Sequence, residues 1–310
     1  MKLGGIISVS DIFQRGGDKM RAQAHARFNG ASGSHAVARQ TAIYSDSTYK
    51  SYRAVWQNYA DFIKSELGIK HIEQGNADHV RLFLEQRIEN GISRNTWNRE
   101  ASAMNKLAVA LNWASEKLHW NRDYNFSRDI NSIRHDAVME LHKNDDSRAY
   151  NAPTQLIASL KISNHLIAAR LQYEGGARIR EISNLKMDQF KGITKDALTG
   201  ERVGIIHINN GKGGYERDMY VTTATYDKAL AQVERHGQFN IDNNQYRNEL
   251  KIASVKSGER YSGTHGLRWN YAQQTMKTLQ KNGLRYESAL LATSERMGHH
   301  RMEITEHYLK

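Results

Sequence analysis

From Asp46 onward the apolar residues Tyr49, Tyr52, Val55, Trp56, Tyr59, Phe62 and Ile63 recur every three or four positions behind a Ser/Asp cap. That spacing predicts one amphipathic helix ending near Gly68. The same period predicts helices over about 77–90 (Val80, Phe83, Leu84, Ile88), about 94–117 (Trp97, Ala101, Met104, Leu107, Leu111) and about 126–142. Four helices joined by short loops make a small bundle. The polar stretch KNDDSRAYNAPT, 143–154, holds the only proline and separates two periodic regions, which places an interdomain linker at 144–154. Beyond it the pattern predicts helices over about 154–174 and 179–187. VGIIHI (203–208) and ERDMYVT (216–222) then flank the turn NNGKGG and read as a β-hairpin. Helical patterns resume over 223–236, 246–255, 265–281 and 287–297. The fold class expected is mainly α with a small antiparallel β-sheet. It comprises a flexible arm over 1–40, a helical domain over 41–143 and a second domain over 155–310.

Charge sharpens this division. The 310 residues carry a net charge of +11, of which +4 lies in residues 1–40, none in 41–150 and +7 in 151–310. Such an excess favours a polyanionic partner over a neutral metabolite. The Gly-, Ala-, Ser- and Arg-rich leader RAQAHARFNGASGSHAVAR suits an arm that tracks phosphates. The absence of cysteine removes disulfides, thiolate zinc sites and cysteine nucleophiles. No apolar run approaches the roughly 18 residues of a membrane span, and MKLGGIISVS lacks the apolar stretch of a signal peptide. A cytoplasmic protein with no membrane partner is expected.

Four strings in the C-terminal half carry candidate chemistry: GGARIREISNL (175–185), NGKGGYERDMYV (210–221), THGLRWNYA (264–272) and MGHHRMEITEHYLK (297–310). Taken singly, each has an ordinary reading. Arg178 could open a surface helix, and GKGG could be a plain hairpin turn, since it lacks the GxxxxGK[ST] order of a P-loop. His265 and Arg268 are one helical turn apart, as many surface pairs are, and Tyr308 is one of fifteen tyrosines.

Their order is more specific. Arg178 in G-A-R-I-R-E, with Glu181 at the acidic position, Lys212 in G-K-G-G-Y-E-R, H-G-L-R from His265 to Arg268, M-G-H ending at His299, and Tyr308 nine residues later resemble the motifs of the tyrosine recombinase (phage integrase) family. The resemblance extends over the whole chain. It implies an N-terminal helical core-binding (SAM-like) domain, a tyrosine-recombinase catalytic domain, and an integrase of a prophage or other mobile element acting on double-stranded DNA. It further implies a tetrameric synapse, an accessory DNA-bending protein as a possible partner, nucleoid association, and no metal or nucleotide cofactor. Tyr308 would be the nucleophile, Arg178 and Arg268 the phosphate clamp, and Lys212 the general acid. His265 and His299 would donate hydrogen bonds to the phosphate and manage the tyrosine proton, and Glu181 would orient a neighbouring group.

The departures are Trp269, where a second histidine is common, Ala177 in place of a bulkier apolar residue, and only two residues after Tyr308. A type IB topoisomerase would share the Arg/Lys/Arg/His/Tyr logic as a monomer. A noncatalytic DNA-binding protein would not require the tyrosine. A metal-assisted reading would instead use His299, His300 and His307 with Glu303 and Glu306.

Overall fold

The computed structural model describes residues 1–143, 146–209, 211, 216–299 and 301–310. Lys212 and His300 therefore lie outside the described residues. The chain divides into two compact units, residues 1–144 and 145–310.

The first unit contains α1 (Leu3–Ser10), α2 (Lys19–Phe28), α3 (Gly33–Gln40), α4 (Asp46–Leu67), α5 (Ala77–Glu89), α6 (Arg94–Leu118), α7 (Ser127–Ser132) and α8 (Arg134–Glu140). Side-chain acceptors start the long helices. Asn76 Oδ1 takes the His79 N–H at 3.0 Å and Ser93 Oγ that of Thr96 at 3.2 Å, each satisfying a donor that has no partner within the helix. Trp56, Tyr59 and Ile63 of α4, Phe83 and Leu84 of α5, and Trp97, Met104, Leu107 and Leu111 of α6 form the core. The two indoles are also satisfied. Trp56 Nε1 donates to Ala103 O at 2.7 Å and Trp97 Nε1 to Leu84 O at 3.1 Å.

Residues 1–40 differ from the flexible arm expected. They form three short helices, and α1 buries Leu3 and Ile6 in the same core, followed by Ile12. The ammonium of Lys106 on α6 is buried and donates to the carbonyls of Ala38 and Thr41, tying the end of α3 to the bundle. The period here is weak because α2 and α3 are short and lie largely at the surface. The helix expected over 126–142 is broken at Ile133, where ψ of 0° leaves the helical region.

The second unit contains α9 (Pro153–Ala158), α10 (Ser163–Gly175), α11 (Ile179–Ile182), β1 (Asn184–Leu185), β2 (Phe190–Lys195), β3 (Arg202–Ile208) and β4 (Arg217–Thr222). It continues with α12 (Thr223–His236), β5 (Phe239–Asn240), α13 (Asn243–Lys256), α14 (His265–Lys281), α15 (Tyr286–Met297) and α16 (Met302–Glu306), and a 3₁₀ turn at His307–Leu309. The hairpin is part of an antiparallel sheet of order β2-β3-β4, and β1 pairs with β5. β2 escapes the pattern because it is an edge strand with mostly exposed side chains and no alternation to read.

Two expected helices are cut by long-range contacts. The 154–174 helix breaks at Lys161–Ile162, where Glu249 of α13 accepts both backbone N–H groups, at 2.6 and 3.2 Å. The 179–187 helix stops after one turn because Asn184 and Leu185 pair with Asn240 and Phe239. The end of the expected linker is bound into this unit. Tyr150 Oη donates to Gly263 O and accepts from Ser262 N, while the Asn270 amide pairs with both backbone groups of Tyr150. These bonds hold the loop that leads into His265. Among the described residues no helix is long and apolar enough to cross a membrane.

Candidate active site

The candidate side chains sit at the ends of elements. Arg178 precedes α11, His265 is the first residue of α14 with Arg268 one turn later, His299 follows the glycine that ends α15, and Tyr308 lies in the 3₁₀ turn. Gly298 has φ +65°, the left-handed turn that ends the helix and redirects the chain at low steric cost for a residue without a Cβ.

The structure gathers Arg268, His265, His299 and Tyr308 into direct contact. Tyr308 Oη meets His265 Nε2 at 2.6 Å. The Tyr308 ring lies 5.3 Å from the His299 ring, 5.1 Å from Trp269 and 5.9 Å from the Arg268 guanidinium. Trp269 thus backs the tyrosine, and the His307 ring also packs on the indole, at 5.0 Å from it.

Arg268 is fully buried and donates from Nη1 to Gly176 O and from Nη2 to Met297 O. Its Nη2 also meets His299 Nε2 at 2.9 Å. Because a guanidinium has only donors, His299 Nε2 must be the acceptor and the imidazole neutral with its proton on Nδ1. That proton is donated to Thr305 Oγ1 at 2.8 Å, and Thr305 shares a 2.5 Å hydrogen bond with Ser294 Oγ. Burial, then the nearby Arg268, Arg178 and Arg217 charges, push the His299 pKa down to about 3. Burial likewise lowers Arg268 to about 10, helped by Arg178 and Arg217. The sequence pattern implies a donor role toward phosphate for His299. Here it accepts from Arg268 and steadies that guanidinium instead.

Arg178 stands beside this group on Glu181, which is buried. Glu181 Oε1 accepts from Arg178 Nη1 at 2.6 Å and Oε2 from the Arg178 backbone N–H at 2.9 Å. Burial by itself would raise the Glu181 carboxyl, but the Arg217 charge and the Arg178 contacts hold it down at about 2. Arg217 is the residue that the sequence motifs do not single out. It is almost fully buried, and its Nη2 reaches Glu181 Oε2 at 2.9 Å. The signals of it in the sequence are its position five residues after Lys212 in the same hairpin string and its place on the period-2 face of Met219 and Val221.

Among the described residues no group of three or more His, Asp or Glu side chains is arranged to hold a metal ion. Both ring nitrogens of His299 are committed, to Arg268 and Thr305, which leaves it no lone pair for a metal. The assembled group offers the positive charges of Arg178 and Arg268, a neutral imidazole network, and a phenol in contact with a second imidazole. That set can polarise a phosphoryl group and present an oxygen nucleophile to it.

The family described as phage integrase, N-terminal SAM-like domain, matches residues 39–115. No curated protein matches the chain by sequence. Among solved structures, the chain is similar to the Tn1549 transposon integrase in complex with transposon right end DNA, at 15% identity over 94% of each chain with a TM-score of 0.54. It is also similar to a variant of that integrase in complex with a circular intermediate DNA, at 14% identity over 83% of this chain and 95% of the other, with a TM-score of 0.51. The chain thus matches the SAM-like N-terminal domain of phage integrases within its first unit and shares the fold of the Tn1549 integrase over nearly its whole length.

Proposed function

We propose that the protein is a site-specific DNA recombinase that cuts and rejoins strands through a 3′-phosphotyrosine, with Arg178, Lys212, His265, Arg268 and Tyr308 as its reacting and clamping groups and His299 holding Arg268 in place. The observation that carries this reading is the contact of the Tyr308 hydroxyl with His265 directly beside the buried Arg268–His299 pair.

In the first step Tyr308 Oη attacks the scissile phosphorus and its proton passes to His265, whose Nε2 is 2.6 Å away. The new P–O bond forms as the bond to the 5′ oxygen breaks, and that oxygen takes a proton from Lys212. Rejoining runs the same steps backwards with a different 5′-hydroxyl. The ester is conserved throughout, so no ATP is consumed. Arg178 and Arg268 stabilise the charge that builds on the nonbridging oxygens, and no metal is needed for this. Because Arg268 is covered in part by the Tyr308 ring, phosphate entry requires the 307–309 turn to shift. The Tn1549 integrase neighbours are complexes with DNA, which supports duplex DNA as the substrate here.

In this reading the first unit is the core-binding domain and the second the catalytic domain. Four protomers assemble on two sites, with an accessory DNA-bending protein as a further partner, and the work takes place at the nucleoid in the cytoplasm. The test is incubation with a nicked suicide duplex carrying the element's end sequence. A covalent protein–DNA band that survives denaturation is expected. Its absence with every end sequence, alongside intact DNA binding, would leave a noncatalytic DNA-binding protein.

A further inference from the structure

We infer that Arg217 is a positioning residue that compensates Glu181 and thereby leaves the charge of Arg178 available to phosphate. This rests on the recombinase reading and deepens it.

Among the described residues Glu181 is the only carboxylate in contact with Arg178, Arg217 or Arg268, and it is nearly inaccessible, at 2% side-chain exposure. Paired with Arg178 alone, at 2.6 Å, it would cancel much of the field of that guanidinium. Arg217 supplies a second positive charge to the same carboxylate, at 2.9 Å from the other oxygen. Its Nη1 donates to protein carbonyls, to Arg296 O at 2.6 Å and, more weakly, to Gly175 O at 3.5 Å. A Cβ at Gly298 would come within 2.9 Å of Arg217 Cδ, so the glycine before His299 leaves room for the arginine stem. Arg217, at 7% side-chain exposure, has one terminal nitrogen on the Glu181 carboxylate and acts on phosphate through it, whereas the terminal nitrogens of Arg268 meet only carbonyls and a neutral imidazole, which leaves its charge uncompensated.

Leaving aside Lys212 and His265, which together carry one positive charge before and after proton transfer, Arg178, Arg217 and Arg268 bring three positive charges, Glu181 one negative charge and the neutral His299 none, which leaves a net of two. A phosphodiester carries one negative charge and gains a second as the phenolate adds. The second charge exists only in the transition state, so losing one positive charge should slow cleavage more than it weakens binding.

The experiment measures single-turnover cleavage of the nicked suicide duplex at saturating protein, with DNA affinity and Tm alongside. Arg217→Gln should cut at least about tenfold more slowly while binding DNA within about threefold of the parent. Adding Glu181→Gln to it restores the net charge of two, and the double variant should cut at least about threefold faster than Arg217→Gln alone. A residue needed only for packing would not be rescued by removing its partner. Should Arg217→Gln fold poorly, Arg217→Lys keeps the charge and should also cut at least about threefold faster than it. Parent-like cleavage by Arg217→Gln, or a double variant no faster than the single, overturns the inference. A parent protein that forms no covalent product removes the recombinase reading itself, so the two failures are distinguishable.

Discussion

Deleting a single oxygen tests the nucleophile with least disturbance. Tyr308→Phe keeps the ring against Trp269, His299 and Arg268, at 5.1, 5.3 and 5.9 Å, and removes only the Oη that meets His265 Nε2 at 2.6 Å. One partly buried hydrogen bond contributes about 1 kcal/mol, so the melting temperature of the second unit should fall by roughly 2–4 °C and no more. DNA affinity should stay within about threefold of the parent, because the ring and its packing persist. Covalent product on the nicked suicide duplex should fall below detection, read as disappearance of the slow-migrating band on a denaturing gel. A persisting band would move the nucleophile elsewhere. The tyrosines to test next are Tyr271, buried on α14, and Tyr261, whose hydroxyl is 3.4 Å from Arg247 O. A fall in melting temperature well beyond that range would show instead that the hydroxyl holds the C-terminal turn in place, and the assignment by absence of product would fail.

Arg178→Lys should lose about 100-fold in cleavage rate, roughly 3 kcal/mol, with DNA affinity barely changed, since an ammonium cannot make the two-point contact of a guanidinium; a lysine variant that cuts near the parent rate contradicts the clamp role. Cleavage should proceed fully in EDTA without ATP, and inhibition on chelation reversed by zinc or manganese would return a metal to the mechanism. His299 titrates near 3 in the folded protein against an ordinary 6.5, so between these values the unfolded chain holds a proton that the folded one does not, and acidification favours unfolding. Stability from this group is fully present above pH 6.5, and urea titrations should show His299→Gln losing up to roughly 2 kcal/mol less than the parent between pH 6.5 and 5. Replacing Lys19, Arg21 and Arg27 of α2 with glutamine should flatten the salt dependence of DNA binding, by up to about 0.9 in log–log slope for each phosphate that α2 neutralises in the parent; an unchanged slope would mean that α2 does not touch DNA. Substitution suits this test better than deletion of residues 1–40, which would also strip Leu3, Ile6 and Ile12 from the core.

The long helices of the first unit are legible because each is locally determined. Side-chain caps at Asn76 and Ser93 and a continuous apolar face in α5 and α6 are all contained within the segment. Where the pattern misleads, the deciding contact comes from far along the chain. Glu249 interrupts the 154–174 helix across more than eighty residues, and the Phe239–Asn240 strand interrupts the 179–187 helix across more than fifty. Arg217 escapes notice for a related reason. The alternation of β4 puts Arg217 on the face of the buried Met219 and Val221, but an arginine at the start of a strand reads as reaching solvent, and its partner Glu181 lies in a distant turn.

The candidate site is easier to read than parts of the fold that hold it, and its placement explains why. Arg178, His265, His299 and Tyr308 each occupy positions at or just beyond the end of an element, where backbone groups lie outside the helical ladder and a side chain can project past the element's end. Sites built this way depend on spacing within short strings, such as the single turn between His265 and Arg268 or the nine residues between His299 and Tyr308, and those spacings survive in the sequence intact. α9 and strands β2 and β3 supply only the distance between strings, which can be met by many packings. The unpredicted group, Arg217, belongs to the layer beneath. There, pairing rather than spacing decides what a residue does. The buried Glu181 and Arg217 set the charge that the exposed edge of Arg178 presents, so the sequence names the groups that would face phosphate while the fold sets how strongly they act.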